Sequence, residues 1–143
     1  GATINTPSMF CVEDALDALG WIESIGGLQA AINRSSKNLE AVKHWVDQSH
    51  WADFLCENRD NLSSTSICLK VKDSKFLNLS VDVQKTKIKE INSILDKEQV
   101  AFDINSYRTA PPGFRIWGGS TVETSDIENL LPWLDWAYTV VND

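Results

Sequence analysis

The stretch "TSICLKVK", residues 65–72, decides the fold. Its apolar residues Ile67, Leu69 and Val71 alternate with more polar ones. Because successive side chains of a strand point to opposite faces, this pattern predicts a strand with one buried and one open face. Such strands are typical of antiparallel sheets that are covered on one side only.

Further strands are predicted at 51–55 ("WADFL"), 100–104 ("VAFDI") and 113–117 ("GFRIW"), the last two forming a hairpin. Apolar residues at helical spacing predict four helices, at 12–22, 28–46, 82–98 and 125–141. The order is helix, helix, strand, strand, helix, strand, strand, helix. We therefore expect an α+β two-layer sandwich, in which an antiparallel sheet carries helices on one face.

Composition and charge restrict the classes of protein to which this chain can belong. The 143 residues carry a formal net charge of −7, which argues against a nucleic-acid surface. The sequence has no membrane-length apolar run and no signal-peptide pattern at its start, and its three cysteines are odd in number and widely spaced. We expect a cytoplasmic protein without disulfides or a metal site. Since the chain begins without Met, we also expect that a leader was removed or that it is part of a longer protein.

Two of the four arginines, Arg108 and Arg115, flank the turn of the predicted hairpin. Strand alternation places Arg115 on the same face as Trp117. A guanidinium beside an apolar side chain needs a partner, because a desolvated and unpaired charge is costly. Two interpretations remain open for Arg115. It forms a salt bridge with one of the 20 acidic residues, or it binds a carboxylate or phosphate of a ligand, with Arg108 serving a second anionic end.

A second candidate lies at the start of the first helix, where Asn5 and Thr6 precede a proline. The two side chains and the free N–H groups of a helix start form either an anion-binding site or an ordinary helix cap. Lys85, Lys87 and Lys89 are predicted to form a solvated helix face. No lysine has the apolar surroundings of a Schiff-base residue, and no carboxylate pair indicates acid–base catalysis. The residues alone predict anion binding without a catalytic centre.

Several segments, "NTPSMFCVEDALDALGW", "ESIGGL", "TSICLKV" and "YRTAPPGFRIWGGSTVETSDIENLLPWLDWAY", resemble the C-terminal part of the phosphoserine aminotransferase family, of the alpha-proteobacterial type. The resemblance covers essentially the whole chain. It implies a fold-type-I enzyme dependent on pyridoxal 5′-phosphate, a homodimer that exchanges an amino group between glutamate and 3-phosphohydroxypyruvate in serine biosynthesis.

The resemblance also implies residue roles. Asn5 and Thr6 would contact the cofactor phosphate of the neighbouring subunit, Arg115 would bind the substrate α-carboxylate, and Arg108 would help to hold the distal phosphate or carboxylate. The Schiff-base lysine of the family lies upstream, so we expect residues 1–143 to be the small C-terminal domain, with 1–10 leading in from the large domain. Alone, this chain should neither hold the cofactor covalently nor transaminate. The alternatives are a stand-alone binding or dimerisation module, or the small domain of another class V aminotransferase or desulfurase.

Overall fold

A computed structural model describes residues 3–142. Residues 1, 2 and 143 lie outside this range, and with them the first two residues of the predicted 1–10 segment. In chain order, the elements are helix α1 (Met9–Ser24), helix α2 (Gly27–Gln48), strand β1 (Ala52–Phe54), a 3-10 turn (Arg59–Asn61), strand β2 (Ser66–Val71), helix α3 (Ser74–Leu77), helix α4 (Val81–Lys97), strand β3 (Gly113–Trp117) and helix α5 (Thr124–Asn142).

The chain divides into two compact units, Gly1–Asn33 and Arg34–Asp143. In the first unit, no residue of α1 is buried. Its exposed apolar side chains include Met9, Phe10 and Leu19. An apolar surface of this kind on a helix is typical of a face that another protein surface covers.

Helix α1 ends at the predicted Ile-Gly-Gly stop. Ile25 is the C-cap, and Gly26 and Gly27 follow with φ angles of 110° and 76°. Positive φ is open to glycine without the steric penalty that a Cβ atom brings, which is why this pair can end one helix and begin the next.

The second unit contains the sheet, which is antiparallel in the order β1-β2-β3. Phe54 pairs with Leu69, and Leu69 pairs with Phe114, so one apolar row crosses all three strands. The central strand β2 alternates between half-buried and buried residues along its whole length. The alternation predicted from 65–72 is thereby confirmed, as is the α+β class.

Helices cover the apolar face of this sheet. Buried side chains of α2, α4 and α5 form one core with those of the strands, for example Val42, Ile91 and Leu134, which are 0 % exposed. The other face carries the remaining residues of each strand: Asp53, Ser66, Cys68, Lys70, Arg115 and Trp117, all half-buried or exposed. One sheet face is therefore packed, and the other is open.

A buried tryptophan packs against the helices on the covered face of the sheet. Trp51 is 1 % exposed and stacks on Tyr138, with ring centroids 4.1 Å apart. Its indole N–H donates to the Asp135 carboxylate (2.7 Å), and the indole of Trp45 donates to the other oxygen of that carboxylate (2.8 Å). One acidic side chain of α5 thus satisfies two indole donors of the core.

Asn38 of α2 anchors the loop that follows β3. Its buried amide nitrogen donates to the carbonyl oxygens of Gly118 and Val122, each at 3.0 Å, and to that of Gly119 at 3.3 Å. Its side-chain oxygen accepts from the Thr124 hydroxyl at 2.7 Å. Helix α2 runs through "RSSKN" (34–38) without a break, and Asn38 can be buried there because its hydrogen bonds are met.

The predicted strand at 100–104 is wrong. The segment is irregular and joins the sheet edge only through an isolated bridge from Asn105 to Phe114. Gln99 and Asp103 have φ angles of 58° and 52°, in the left-handed region that a strand cannot use. The sheet therefore has three strands among residues 3–142, one fewer than predicted.

Pro132 lies inside α5, which continues on both sides of it. Proline removes one helical hydrogen bond, to the carbonyl of the residue four positions earlier. That residue, Glu128, is exposed, so water can satisfy its carbonyl.

No helix in the described part of the chain combines the length and apolarity needed to cross a membrane.

Candidate functional site

Strand β3 carries the first predicted site residue, Arg115, on the open face of the sheet. Cys68 of β2 is its cross-strand partner, and Trp117 lies on the same face, opposite Ser66. The core residues Phe114 and Ile116 point to the other face and are 1 % and 2 % exposed. The predicted shared face of Arg115 and Trp117 is confirmed, and it follows from strand alternation.

The Arg115 guanidinium has two contacts with other side chains and one unpaired nitrogen. Its carbon atom Cζ lies 4.7 Å from the centroid of the Tyr107 ring, a cation–π arrangement. Its Nη2 is 3.6 Å from a carboxylate oxygen of Asp103, whose side chain is 88 % exposed. Its Nε is buried and has no hydrogen-bond partner. The guanidinium thus has one long contact with a solvated acid and keeps donor capacity for another group.

The loop before β3 is closed by backbone hydrogen bonds. The N–H of Arg115 donates to the carbonyl of Ile104 at 2.8 Å, and that of Ser106 donates to the carbonyl of Gly113 at 3.2 Å. A Cβ atom on Gly113 would lie 2.1 Å from the Leu69 carbonyl oxygen, so only glycine allows β3 to begin this close to β2.

Arg108 lies at the tip of this loop, in a turn where the N–H of Ala110 donates to the carbonyl of Tyr107. It lines a cleft of about 340 Å³ between the loop and α4, and Lys85 and Lys89 of α4 line the same cleft. In residues 3–142, no ion pair joins any of these three cations to an acidic side chain.

Sequence reasoning missed this grouping. Lys85 and Lys89 are solvent-exposed, as predicted, but they also border the Arg108 cleft. Their spacing of four residues places them on one side of α4, which is the one signal the sequence offers. Lys87, between them, donates instead to the carbonyl of Val141 at 2.6 Å.

Arg108 and Arg115 line separate clefts. The Arg115 cleft has a volume of about 370 Å³ and includes Phe102 and Trp117, both more than half exposed. Tyr107 is the link between the two arginines, because its ring contacts the Arg115 guanidinium and also borders the Arg108 cleft.

Asn5 and Thr6 belong to the first unit, ahead of α1, and both are exposed. Ser8 is the N-cap of α1, and its side chain makes no capping hydrogen bond. The first N–H groups of the helix therefore have no side-chain acceptor from the cap. Among the described residues, no cluster of three or more potential ligands is arranged to hold a metal ion.

Comparison with known proteins shows which proteins this chain resembles in sequence. No family model matches the chain. Over 141 residues, or 99% of its length, the chain is 45% identical to a phosphoserine aminotransferase of Methanosarcina mazei and 46% identical to that of Methanosarcina barkeri. It spans only 35% of the length of each of these relatives.

Solved structures agree in fold. A phosphoserine aminotransferase from Bacillus circulans subsp. alkalophilus matches 95% of the chain with a TM-score of 0.76 at 21% identity, and 34% of that protein is covered. A phosphoserine aminotransferase studied for radiation damage of its Schiff base matches the same share of the chain with a TM-score of 0.75 at 16% identity, again over 34% of its length. In sequence and in fold, the chain is thus related along nearly its whole length to about one third of a phosphoserine aminotransferase.

Proposed function

We propose that this chain is the C-terminal part of a phosphoserine aminotransferase. The whole enzyme transfers an amino group between L-glutamate and 3-phosphohydroxypyruvate, giving 3-phosphoserine and 2-oxoglutarate, in the biosynthesis of serine. The relatives support this proposal by their names. The structural observation that carries it is Arg115, a cation on the open sheet face whose buried Nε has no partner of its own.

In this proposal, Arg115 binds the α-carboxylate of the substrate. A guanidinium binds a carboxylate through two parallel hydrogen bonds, and the Tyr107 ring under it fixes its plane. Asp103 is a weak competitor, since its contact is long and its carboxylate is solvated. A substrate carboxylate would replace this contact with a shorter one.

Arg108 binds the distal phosphate of 3-phosphohydroxypyruvate, or the distal carboxylate of glutamate. Its side chain is exposed and carries no ion pair within the described residues. The turn that bears it is closed by hydrogen bonds and followed by Pro111 and Pro112, which restrict the backbone. Both half-reactions use molecules that are anionic at two ends, so one pair of arginines serves both.

Pyridoxal 5′-phosphate supplies the electron sink of such a reaction when bound. The residues at the start of α1 fit its phosphate, because Asn5 and Thr6 offer an amide and a hydroxyl and the Ser8 side chain leaves the helix N–H groups open. We propose that they contact the cofactor of the neighbouring subunit in a homodimer. No lysine is buried among residues 3–142, which fits a Schiff-base lysine supplied from elsewhere.

The 1–143 segment is then the small domain, with 1–10 leading in from the large one. The exposed apolar side chains of α1 support this arrangement, because a face of that kind needs a covering surface. The chain alone would neither hold the cofactor covalently nor transaminate. We place the whole enzyme in the cytoplasm.

The longer protein that contains this chain provides the test. Amino transfer from glutamate is measured with 3-phosphohydroxypyruvate and with the same acid lacking its phosphate. The proposal expects kcat/KM to be much higher with the phosphate. Equal values would indicate another class V aminotransferase. No transfer to either acid would indicate a desulfurase or a binding or dimerisation module.

A further inference from the structure

We infer that Lys85 and Lys89 complete a phosphate-binding cleft with Arg108. The ligand is the dianion of a phosphate monoester, held between α4 and the loop that precedes β3. This inference rests on the proposed function, because it takes the ligand to be the phosphorylated end of that substrate. It adds two residues to which the resemblance gives no role.

Lys85 and Lys89 are one helical turn apart on α4, and Arg108 lines the same cleft of about 340 Å³ from the loop. Ser106 also lines the cleft and adds a hydroxyl group that can donate to a phosphate oxygen. Such a cleft offers a phosphate two ammonium groups and one planar guanidinium.

Acidic side chains are absent from this cleft: among residues 3–142, neither an Asp nor a Glu lines it. Lys89 also borders a neighbouring cleft with Asp96 and Asp103, but it forms an ion pair with neither. Three cations at one cleft repel each other, and a bound dianion removes that repulsion.

Backbone hydrogen bonds restrict the segment that carries Arg108. Ala110 donates to the carbonyl of Tyr107, and Ser106 donates to that of Gly113. Asn105 bridges to Phe114 of β3 at the start of the loop. A loop backbone restricted in this way loses little freedom when an anion binds, which favours binding.

The test uses the 143-residue chain itself and needs neither cofactor nor activity. Inorganic phosphate and O-phosphoserine are titrated at constant ionic strength, and the backbone amide resonances of Ser106 and Arg108 are followed by NMR. Both ligands should give saturable shifts, with O-phosphoserine binding at least as tightly as phosphate. The double variant Lys85→Gln/Lys89→Gln should weaken binding about tenfold, as expected for the loss of charge-assisted hydrogen bonds.

Lys97→Gln is the matched control, because Lys97 lies on the same helix, is exposed and does not line the cleft. It should leave the affinity unchanged. Any of four results would overturn the inference. These are shifts that do not saturate, equal weakening by the control, acetate binding as tightly as phosphate, and binding of phosphate but not of O-phosphoserine. Such a failure leaves the Arg115 assignment intact, since that rests on the kinetics of the longer protein.

Discussion

The guanidinium of Arg115 lies over the ring of Tyr107, with Cζ 4.7 Å from the ring centroid. This contact joins a strand residue to the loop that carries Arg108. It holds the orientation of the guanidinium, whose acidic neighbour Asp103 is 3.6 Å away and largely solvated. Substitution of Tyr107 should therefore affect substrate binding by Arg115.

Replacing Tyr107 should test this support. In the longer protein, Tyr107→Leu removes the aromatic face, and we expect kcat/KM for 3-phosphohydroxypyruvate to fall about fivefold, as for the loss of about 1 kcal/mol of cation–π energy. Tyr107→Phe keeps the ring and should stay near the original value. Equal losses in the two variants would show that the hydroxyl, not the ring, matters.

The buried amide of Asn38 predicts a large stability effect. Asn38→Leu leaves three carbonyl groups and the Thr124 hydroxyl without their partner, so the free energy of unfolding should fall by about 3 kcal/mol. Urea unfolding followed by tryptophan fluorescence measures it.

Asn33→Leu is the control for that experiment, because this exposed asparagine on the same helix only accepts from the Gln29 side chain. It should change the free energy of unfolding by less than about 0.5 kcal/mol. If both substitutions had similar effects, Asn38 would not be the anchor of the loop after β3.

The carboxylate of Asp73 makes the stability of the second unit depend on pH. The N–H of Lys75, which donates to its carboxylate, lowers the pKa of Asp73 from its usual 3.8, and the hydroxyl of Tyr138 lowers it further. Since the folded-state pKa is below the unfolded one, the ionised carboxylate stabilises the fold above pH 3.8. This stabilisation is lost as the pH falls from there through the lowered pKa.

Asp73 is the N-cap of α3. The substitution Asp73→Asn separates its charge from its capping role, because asparagine caps a helix about as well as aspartate does. Urea unfolding of both proteins is measured from neutral pH to about pH 2. Below pH 3.8, the original protein should lose stability more steeply than Asp73→Asn. Parallel curves would contradict the role of the Asp73 charge.

The fold was predictable where side-chain alternation and helical spacing are regular. The strand at 65–72 shows its two faces in its sequence, and β3 likewise placed Arg115 beside Trp117. The segment 100–104 looks equally apolar, but the left-handed backbone of Asp103 is a local conformation that residue pattern does not reveal. Apolar content alone therefore predicted a strand that does not form.

The candidate site was predictable only in part. The arginines stand out because cations beside apolar residues need partners. That Tyr107 lies under Arg115, and that Lys85 and Lys89 share the Arg108 cleft, depends on how the loop packs against the sheet and α4. The two lysines lie about 20 positions before Arg108, and a residue pattern within one element does not show how a loop packs against another element.

We propose that Arg108 and Arg115 hold opposite ends of one substrate. The most direct measurement is the ratio of kcat/KM for 3-phosphohydroxypyruvate to that for the acid without phosphate, in the longer protein and its variants. Arg108→Gln should reduce this ratio about tenfold or more, whereas Arg115→Gln should lower both kcat/KM values and leave the ratio unchanged.

Arg59→Gln is the control for arginine loss, since Arg59 pairs with Asp47 and lines neither cleft. It should leave both kcat/KM values and their ratio at the original level. A ratio unaffected by Arg108→Gln, together with unchanged kcat/KM values in Arg115→Gln, would contradict the assignment of both arginines.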